Sequence, residues 1–233
     1  MQQSNIHSTP KNLQVLFEDN HLLIVNKRPG DIVQGDKTGD TPLSEVVKQY
    51  IAEKYNKPGA VFLGVVHRLD RPTSGIVVFA RTSKALSRLN KMFSERETEK
   101  TYWAIVKNDP PKPSDRLVHY LKRNPKQNKS YAHSNEVPES KKAILSYSVA
   151  KKLDRYTLLE IDLETGRHHQ IRSQLSAIGC PIKGDLKYDF DRSNKDGSIH
   201  LHARKLSLMH PVKKEPLTVI APPPKDVLWD LCV

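Results

Sequence analysis

A nine-residue polar segment, HRLDRPTSG at residues 67–75, most constrains how this chain can fold. It separates two short apolar runs, residues 61–66 and 76–80, which are rich in β-branched and aromatic residues and have the length of strands. The proline and glycine near its end are typical of a sharp turn. The sequence therefore predicts two strands joined by a loop at the edge of a core.

The loop contains a single carboxylate, Asp70, between Arg68 and Arg71. Each positive neighbour favours the ionised form of this acid. An ionised carboxylate can act as a nucleophile or an electrostatic anchor, but it is poorly suited to act as a general acid. Asp70 is therefore the first candidate for a catalytic residue.

The charge balance of the chain indicates an anionic partner. The 233 residues carry a formal net charge of +12, with a pI near 9.6, and nucleic acid is the commonest partner of so basic a protein. A lysine-rich surface kept for solubility is the alternative. The two cysteines form no CxxC pair or disulfide framework, which favours a reducing, cytoplasmic location. No apolar stretch approaches the roughly 20 residues that span a bilayer, so we expect no membrane contact.

The hydrophobic pattern predicts many strands with helices inserted irregularly among them. This order does not alternate strand and helix, so it favours an α+β fold with a mixed, largely antiparallel sheet and flanking helices. We expect strands at 13–17, 22–27, 101–106, 144–153, 156–163, 201–209 and 217–221, and helices at 43–55, 83–96 and 168–178, with Thr41 as the N-cap of the first helix and a short last helix containing Trp229.

The chain shows no internal repeat and no composition shift that marks a domain boundary. We expect a flexible arm over residues 1–12 and one catalytic domain over residues 13–233. Residues 107–142 are rich in proline and lysine and predict a basic hairpin or insert. A solvated loop and an RNA-contacting hairpin are equally compatible with this segment. Its basic residues without nearby carboxylates are Lys122, Arg123, Lys126 and Lys129.

A second cluster of charge lies in TGRHHQIR, residues 165–172, where a strand is expected to meet a helix. Positive side chains there add to the partial positive charge of the helix N-terminus and form a surface that attracts anions. The alternative is an ordinary surface helix whose first turn is electrostatically unfavourable. Because Arg172 follows Arg167 by five residues, one can meet phosphate while the other turns toward a carboxylate such as Asp70. The basic residues of the cluster are Arg167, His168, His169 and Arg172.

Other chemistries find little support in the sequence. Adjacent histidines point apart on a helix, and no HExxH motif or cysteine cluster accompanies them, so we expect no metal. The HRLD segment differs from the kinase HRD loop by an inserted leucine, and no glycine-rich loop accompanies it. Tyr102 opens a predicted strand, where it either stacks on a base or packs in the core; the sequence leaves both open.

The motifs together resemble those of RluA-type pseudouridine synthases. HRLDRPTSG, KTY (100–102), TGRHHQIR and LHARKL (201–206) occur in the order of that family, and VLFEDNHLLIVNKRPG (15–30) and KGDLKY (183–188) are similar to two further segments. The resemblance implies the family's catalytic fold with a central active-site cleft. It also implies isomerisation of uridine to pseudouridine in structured RNA, either tRNA or ribosomal RNA, without a cofactor or a metal.

The resemblance also implies roles for individual residues. Asp70 matches the aspartate that attacks a flipped nucleotide, Tyr102 the tyrosine that stacks on the base and assists proton removal, and Arg172 the basic residue that pairs with the aspartate. We expect RNA contacts from Arg68, Arg71, Arg167, His168, His169 and the four basic residues of the hairpin. We expect the site to be lined by His67, Thr73, Gly75, Leu201 and His202.

Two departures from the family pattern concern the choice of RNA. His168 stands where threonine or serine is common, and Ser173-Gln174 stand where a histidine is common. The N-terminal RNA-binding appendage of some relatives is expected to be absent, and we expect a monomer. Two alternatives remain open: a catalytically silent RNA-binding protein on the same scaffold, and a glycosylase acting on flipped bases.

Overall fold

The structure, a computed structural model, describes residues 7–36 and 38–233, and the chain divides into two compact units. Of the described residues, the first unit comprises 7–36, 38–99 and Ala203–Pro224, and the second comprises Lys100–His202 and Lys225–Val233. The sequence analysis expects one domain, because no shift in composition accompanies this division.

In chain order the elements are β1 (Val15–Glu18), β2 (Leu22–Lys27), α1 (Leu43–Lys54), β3 (Gly64–Val65), β4 (Ser74–Ala80), α2 (Ser83–Glu95), β5 (Glu99–Val106), β6 (Ser114–Asn124), β7 (Lys129–His133), β8 (Lys141–Lys152), β9 (Thr157–Leu163), α3 (Gln170–Ala177), a 3-10 turn (Leu186–Tyr188), β10 (Leu201–Met209), β11 (Pro216–Ile220) and α4 (Val227–Asp230).

The first unit is built on β2 and β4, which pair antiparallel with Lys27 opposite Gly75. Both strands are buried along their whole length, as their nearly continuous apolar runs predict. β1 pairs with β2, the two-residue β3 pairs with β4, and β10 forms a hairpin with β11. Alternate residues of β2 and β4 pack against the apolar face of α1, which forms one hydrophobic core of this unit.

The second unit is an antiparallel sheet in the order β5-β9-β8-β6-β7. One face of the sheet packs against Ile171 and Leu175 of α3. The other face contributes Ile105 and Leu158 to a smaller cluster with Trp229 of α4. The expected α+β class with largely antiparallel pairing is therefore confirmed, and α3 lies on one face of this sheet next to β6 and β7.

Two helices begin differently from the expectation. Pro42, and not Thr41, is the N-cap of α1, and its side chain makes no capping hydrogen bond. Instead, the carbonyls of Ile32 and Val33 accept the amides of the first two helical residues, at 2.7 and 3.2 Å. The preceding segment therefore satisfies the helix end by a tertiary contact that local capping rules do not include. α3 begins at Gln170 because the residue before it has a positive φ of 53°.

Residues 7–12, which the sequence analysis assigns to a flexible arm, are attached to the first unit. Ser8 is buried, and its amide and hydroxyl donate to the carboxylate of Asp31 at 3.1 and 2.6 Å. Arg28 donates to the carbonyl of Asn12 at 3.3 Å. Residues 1–6 of the expected arm lie outside the described residues. Among residues 7–36 and 38–233, no helix is long and apolar enough to cross a membrane.

Candidate active site

The loop that carries Asp70 is closed by a tight turn between β3 and β4. The Asp70 carbonyl accepts the amide of Thr73 at 3.0 Å, with Arg71 and Pro72 as the central residues of the turn. The amide of Gly30 then donates to the Arg71 carbonyl at 2.8 Å, which joins this turn to the segment after β2. Asp70 itself is half-buried. The backbone from Asp70 to Thr73 is therefore fixed by hydrogen bonds within the first unit.

A buried lysine supports this turn from beneath. Lys27, the last residue of β2, is 1% exposed, and its ammonium donates to the carbonyls of Arg28 and Arg71 at 2.8 and 3.1 Å. Burial lowers the pKa of Lys27 to about 7, while the negative charges of Asp31 and Asp70 oppose this shift. The sequence analysis assigns no role to Lys27. Its position in a strand that begins with four apolar residues, LLIVNK, is the signal that a buried charge lies there.

The arginines that flank Asp70 have different surroundings from those that the sequence suggests. Arg71 is exposed; its guanidinium pairs with the carboxylate of Asp40 and donates to the Gly30 carbonyl at 3.1 Å. Arg68 is exposed as well. Within the first unit, the buried ammonium of Lys27 is a positive charge that acts on Asp70. Neighbours in sequence therefore give an incomplete account of the electrostatics of this carboxylate.

Three expected site-lining residues help to build the loop. Gly75 has a φ of +114°, and a Cβ there would lie 2.4–2.8 Å from backbone atoms of Ala203, so this position requires glycine. Thr73 is buried. Nε2 of His67 accepts the amide of Val78 at 3.0 Å, and the His67 ring stacks on Phe93 at a centroid distance of 4.9 Å. These contacts attach the loop to β4 and α2.

Tyr102 lies on β5 in the second unit and is half-buried. It packs with Ala104 on the face of the sheet that α3 covers, whereas Trp103 faces the α4 side, so the expected alternation along this strand is confirmed. Leu201 is buried in the same core as Ala104. His202 is buried, with its ring at 6.0 Å from the ring of Trp229.

Arg172 points into the second unit and pairs with a carboxylate that the sequence analysis does not assign. Its Nε and Nη2 donate to the two oxygens of Asp185 at 2.7 and 2.8 Å, and both side chains are buried. The guanidinium also lies 5.0 Å from the centre of the Tyr188 ring. Because the two bonds are parallel and buried, they fix the plane of the guanidinium. Both supporting residues belong to the KGDLKY segment, which carries the family resemblance but no predicted role.

The start of α3 differs from the expected helical turn. His169 is the N-cap in a left-handed conformation, and the rings of His168 and His169 stack at a centroid distance of 3.7 Å. The expectation that these histidines point apart on a helix is wrong, because both precede the helix. Arg167 donates from Nε to the Lys142 carbonyl at 3.1 Å, and its amide donates to the side chain of Gln170 at 2.9 Å.

The expected basic hairpin is formed by β6 and β7, with Arg123 opposite Ser130. Arg123 and Lys126 are exposed near its tip. Lys122 pairs with the exposed Glu139 at 3.4 Å, and the half-buried Lys129 pairs with the exposed Asp189 at 3.8 Å. Pairs of this kind contribute little and exchange readily with a phosphate. Within the described ranges, no group of three or more histidine, cysteine or acidic residues is arranged to hold a metal ion.

Comparisons with known proteins give consistent matches. A family model described as RNA pseudouridylate synthase matches residues 21–177. Ribosomal large subunit pseudouridine synthase D of Xanthomonas campestris is 30% identical over 248 residues, which cover 97% of this chain and 71% of that protein. tRNA pseudouridine synthase C of Pectobacterium carotovorum is 32% identical over 230 residues, covering 90% of this chain and 58% of that protein. The chain thus spans 58% to 71% of the length of these two relatives.

A solved structure shares the fold. Human RNA pseudouridylate synthase domain containing 4 superimposes with a TM-score of 0.77 at 24% sequence identity, covering 94% of this chain and 91% of that one.

Proposed function

The chain belongs to the RNA pseudouridylate synthase family, and from that premise we propose that it converts uridine to pseudouridine in tRNA or ribosomal RNA, with Asp70 as the nucleophile. In this reaction the bond from C1′ of the ribose to N1 of uracil breaks and a bond from C1′ to C5 forms. C5 loses a proton and N1 gains one. Nothing is oxidised or reduced, so the reaction balances without a redox cofactor.

The family match carries this proposal. It spans residues 21–177, and therefore contains Asp70, Tyr102 and Arg172 together with the support of the Asp70 turn. One relative is named for the ribosomal large subunit and another for tRNA, which supports these two classes of substrate.

The surroundings of Asp70 suit a nucleophile. Its turn is held by backbone hydrogen bonds, and the ammonium of Lys27 lies beneath it. A positive charge in a buried position favours the ionised carboxylate, which is the form that attacks carbon. Asp70 is half-buried, so its carboxylate is partly removed from water without being enclosed.

The other two residues of the proposed set have complementary roles. Tyr102 stacks on the base and assists removal of the proton from C5. Arg172 supplies a guanidinium whose orientation is fixed by Asp185, and it balances negative charge during the reaction.

RNA binding is proposed for the basic residues of the loop, the α3 start and the hairpin. A base must leave its stack before the enzyme can reach the glycosidic bond, at a cost of a few kcal/mol, and phosphate contacts by lysine and arginine offset that cost. The net charge of +12 supports such contacts. The residues are Arg68, Arg71, Arg167, His168, His169, Lys122, Arg123, Lys126 and Lys129.

We also propose a monomer in the cytoplasm. A large net positive charge opposes self-association. Cys180 and Cys232 are free thiols, and burial raises the pKa of Cys180 to about 11, which keeps this thiol protonated and unreactive. Sedimentation at several protein concentrations tests the monomeric state.

The test of the proposed function is release of tritium from RNA labelled at C5 of uridine, prepared from cells that lack this gene. Asp70→Asn should reduce the rate at least about a thousandfold, because an amide does not form the covalent bond. Asp191→Asn is the matched control; this exposed carboxylate pairs with Lys107 and should leave the rate unchanged.

Two outcomes contradict the proposal. If the wild type binds RNA but releases no tritium, the chain is a silent RNA-binding protein. If free uracil accumulates, it is a glycosylase.

A further inference from the structure

We propose that Tyr188 is a positioning residue that couples the β6–β7 hairpin to the start of α3, so that RNA binding and the orientation of Arg172 both depend on one side chain. The inference rests on the proposed function, which gives the hairpin and Arg172 their roles. Tyr188 lies in the 3-10 turn of the second unit and is 2% exposed.

The hydroxyl of Tyr188 connects two separate elements. It accepts the amide of Ser130 in β7 at 2.8 Å, and it lies 3.0 Å from Nδ1 of His169 at the start of α3. The hydroxyl therefore forms hydrogen bonds with both β7 and the start of α3, whichever tautomer His169 adopts. The left-handed residue at which α3 begins is therefore held in one orientation by the phenol.

The ring of Tyr188 contacts two cations. The ammonium of Lys129 and the guanidinium carbon of Arg172 each lie 5.0 Å from the ring centre. Both distances are within the range of an attractive cation–π contact. Arg172 is thus held by the two oxygens of Asp185 and by the ring, whereas Lys129 is held on the hairpin side. The ring therefore acts on the proposed catalytic cation and on a proposed RNA contact at once.

Ser130 of β7 makes three contacts that attach the hairpin to α3 and the 3-10 turn. Its amide donates to Tyr188, its hydroxyl lies 2.9 Å from Nδ1 of His168, and its carbonyl accepts the hydroxyl of Ser173 at 3.0 Å. Each of these groups is directed away from β6 and toward α3 or the 3-10 turn.

The experiment separates the hydroxyl from the ring. Tyr188→Phe keeps the ring and removes both hydroxyl contacts, whereas Tyr188→Leu removes both features. Kinetics are measured by tritium release from the same C5-labelled total RNA. Tyr188→Phe should raise KM about 3- to 10-fold, as expected for loss of one or two hydrogen bonds, with kcat within about twofold of the wild type. Tyr188→Leu should in addition lower kcat about tenfold or more, because Arg172 loses one of its supports.

The matched control is Tyr147→Phe. Tyr147 is another buried tyrosine of the second unit, and its hydroxyl donates to the Lys112 carbonyl at 3.2 Å. It should lower stability without changing KM or kcat. Ser173→Ala provides a second route to the same coupling, because it removes one hydrogen bond to Ser130 and leaves Tyr188 in place. It should raise KM and leave kcat unchanged.

Several results overturn the inference. If KM is unchanged in both Tyr188→Phe and Ser173→Ala, the attachment of the hairpin does not contribute to RNA binding. If kcat changes equally in Tyr188→Phe and Tyr188→Leu, the ring makes no separate contribution to the orientation of Arg172. A KM shift in Tyr147→Phe equal to that in Tyr188→Phe reduces the effect to general stability. Failure of the proposed function is distinguished at the outset, because the wild type then releases no tritium.

Discussion

Replacing Lys27 by methionine should change how the stability of the protein depends on pH. Lys27 is almost wholly buried below the Asp70 turn, and burial lowers its pKa from 10.5 to about 7. The unfolded chain therefore binds one more proton than the folded protein between these two values. Stability consequently rises with pH from about 7 to 10.5, and the full cost of burying the charge is present below pH 7. A methionine has a similar length and carries no titrating group.

The magnitude follows from the linkage relation. A difference of about 3.5 pKa units corresponds to about 5 kcal/mol, and each pH unit in the window contributes up to about 1.4 kcal/mol. Between pH 7 and 9, the free energy of unfolding of the wild type should therefore rise by about 2 kcal/mol relative to Lys27→Met. The variant also deprives the Arg28 and Arg71 carbonyls of a donor, which costs about 1–3 kcal/mol each at every pH. That cost shifts the whole curve and leaves its slope unchanged.

The measurement is urea unfolding at pH 6, 7, 8 and 9, followed by far-ultraviolet circular dichroism. All other titratable groups are common to both proteins, so the difference between the two curves isolates Lys27. Lys84→Met, at an exposed position of α2, is the control and should run parallel to the wild type. Parallel curves for Lys27→Met would falsify the conclusion that burial below the Asp70 turn lowers the pKa of Lys27.

Two further predictions concern stability. Gly75→Ala should lower the free energy of unfolding by about 2–4 kcal/mol, because its φ is left-handed and its new Cβ meets the backbone of β10; Gly166→Ala, with open space around it, should change it by less than about 0.5 kcal/mol. Equal melting temperatures for the two variants would refute this reading. Asp185→Asn removes a buried charge partner of Arg172 and should cost about 3–5 kcal/mol in urea unfolding. Asp191→Asn, at an exposed pair, should cost less than about 1 kcal/mol, and a similar cost for both variants would contradict the role of the buried pair.

Local patterns in the sequence identify most elements of the fold. The fully apolar runs at the centres of β2 and β4 and the helical spacing in α2 are visible without the structure. Thr82 caps α2 by accepting the amide of Ala85 at 3.2 Å, as local rules require. Where local rules fail, a distant segment makes the contact instead: backbone carbonyls 11 residues away accept the first amides of α1, and Pro42 stands at the N-cap in place of Thr41.

The chemistry of the candidate site could be predicted only in part. The motif order supplies Asp70, Tyr102 and Arg172, and spacing suggests that one arginine of the α3 cluster turns inward toward a carboxylate. Spacing does not choose among 26 acidic residues, and the structure gives Asp185 as a partner of Arg172 within its own unit. Lys27 was not predicted because its partners are backbone carbonyls, and one of them, that of Arg71, lies 44 residues away in the chain.

The sequence by itself determined the fold class, the family and the residues that carry its motifs, because apolar period, turn chemistry and motif order are properties of contiguous segments. Only the tertiary structure decided which side chains contact each other. It places Lys27 beneath the Asp70 turn, Asp185 against Arg172, and Tyr188 between β7 and α3. Electrostatic and hydrogen-bond energies depend on distance and burial in space. Residues far apart in the chain acquire those values only when the sheet and its helices have packed.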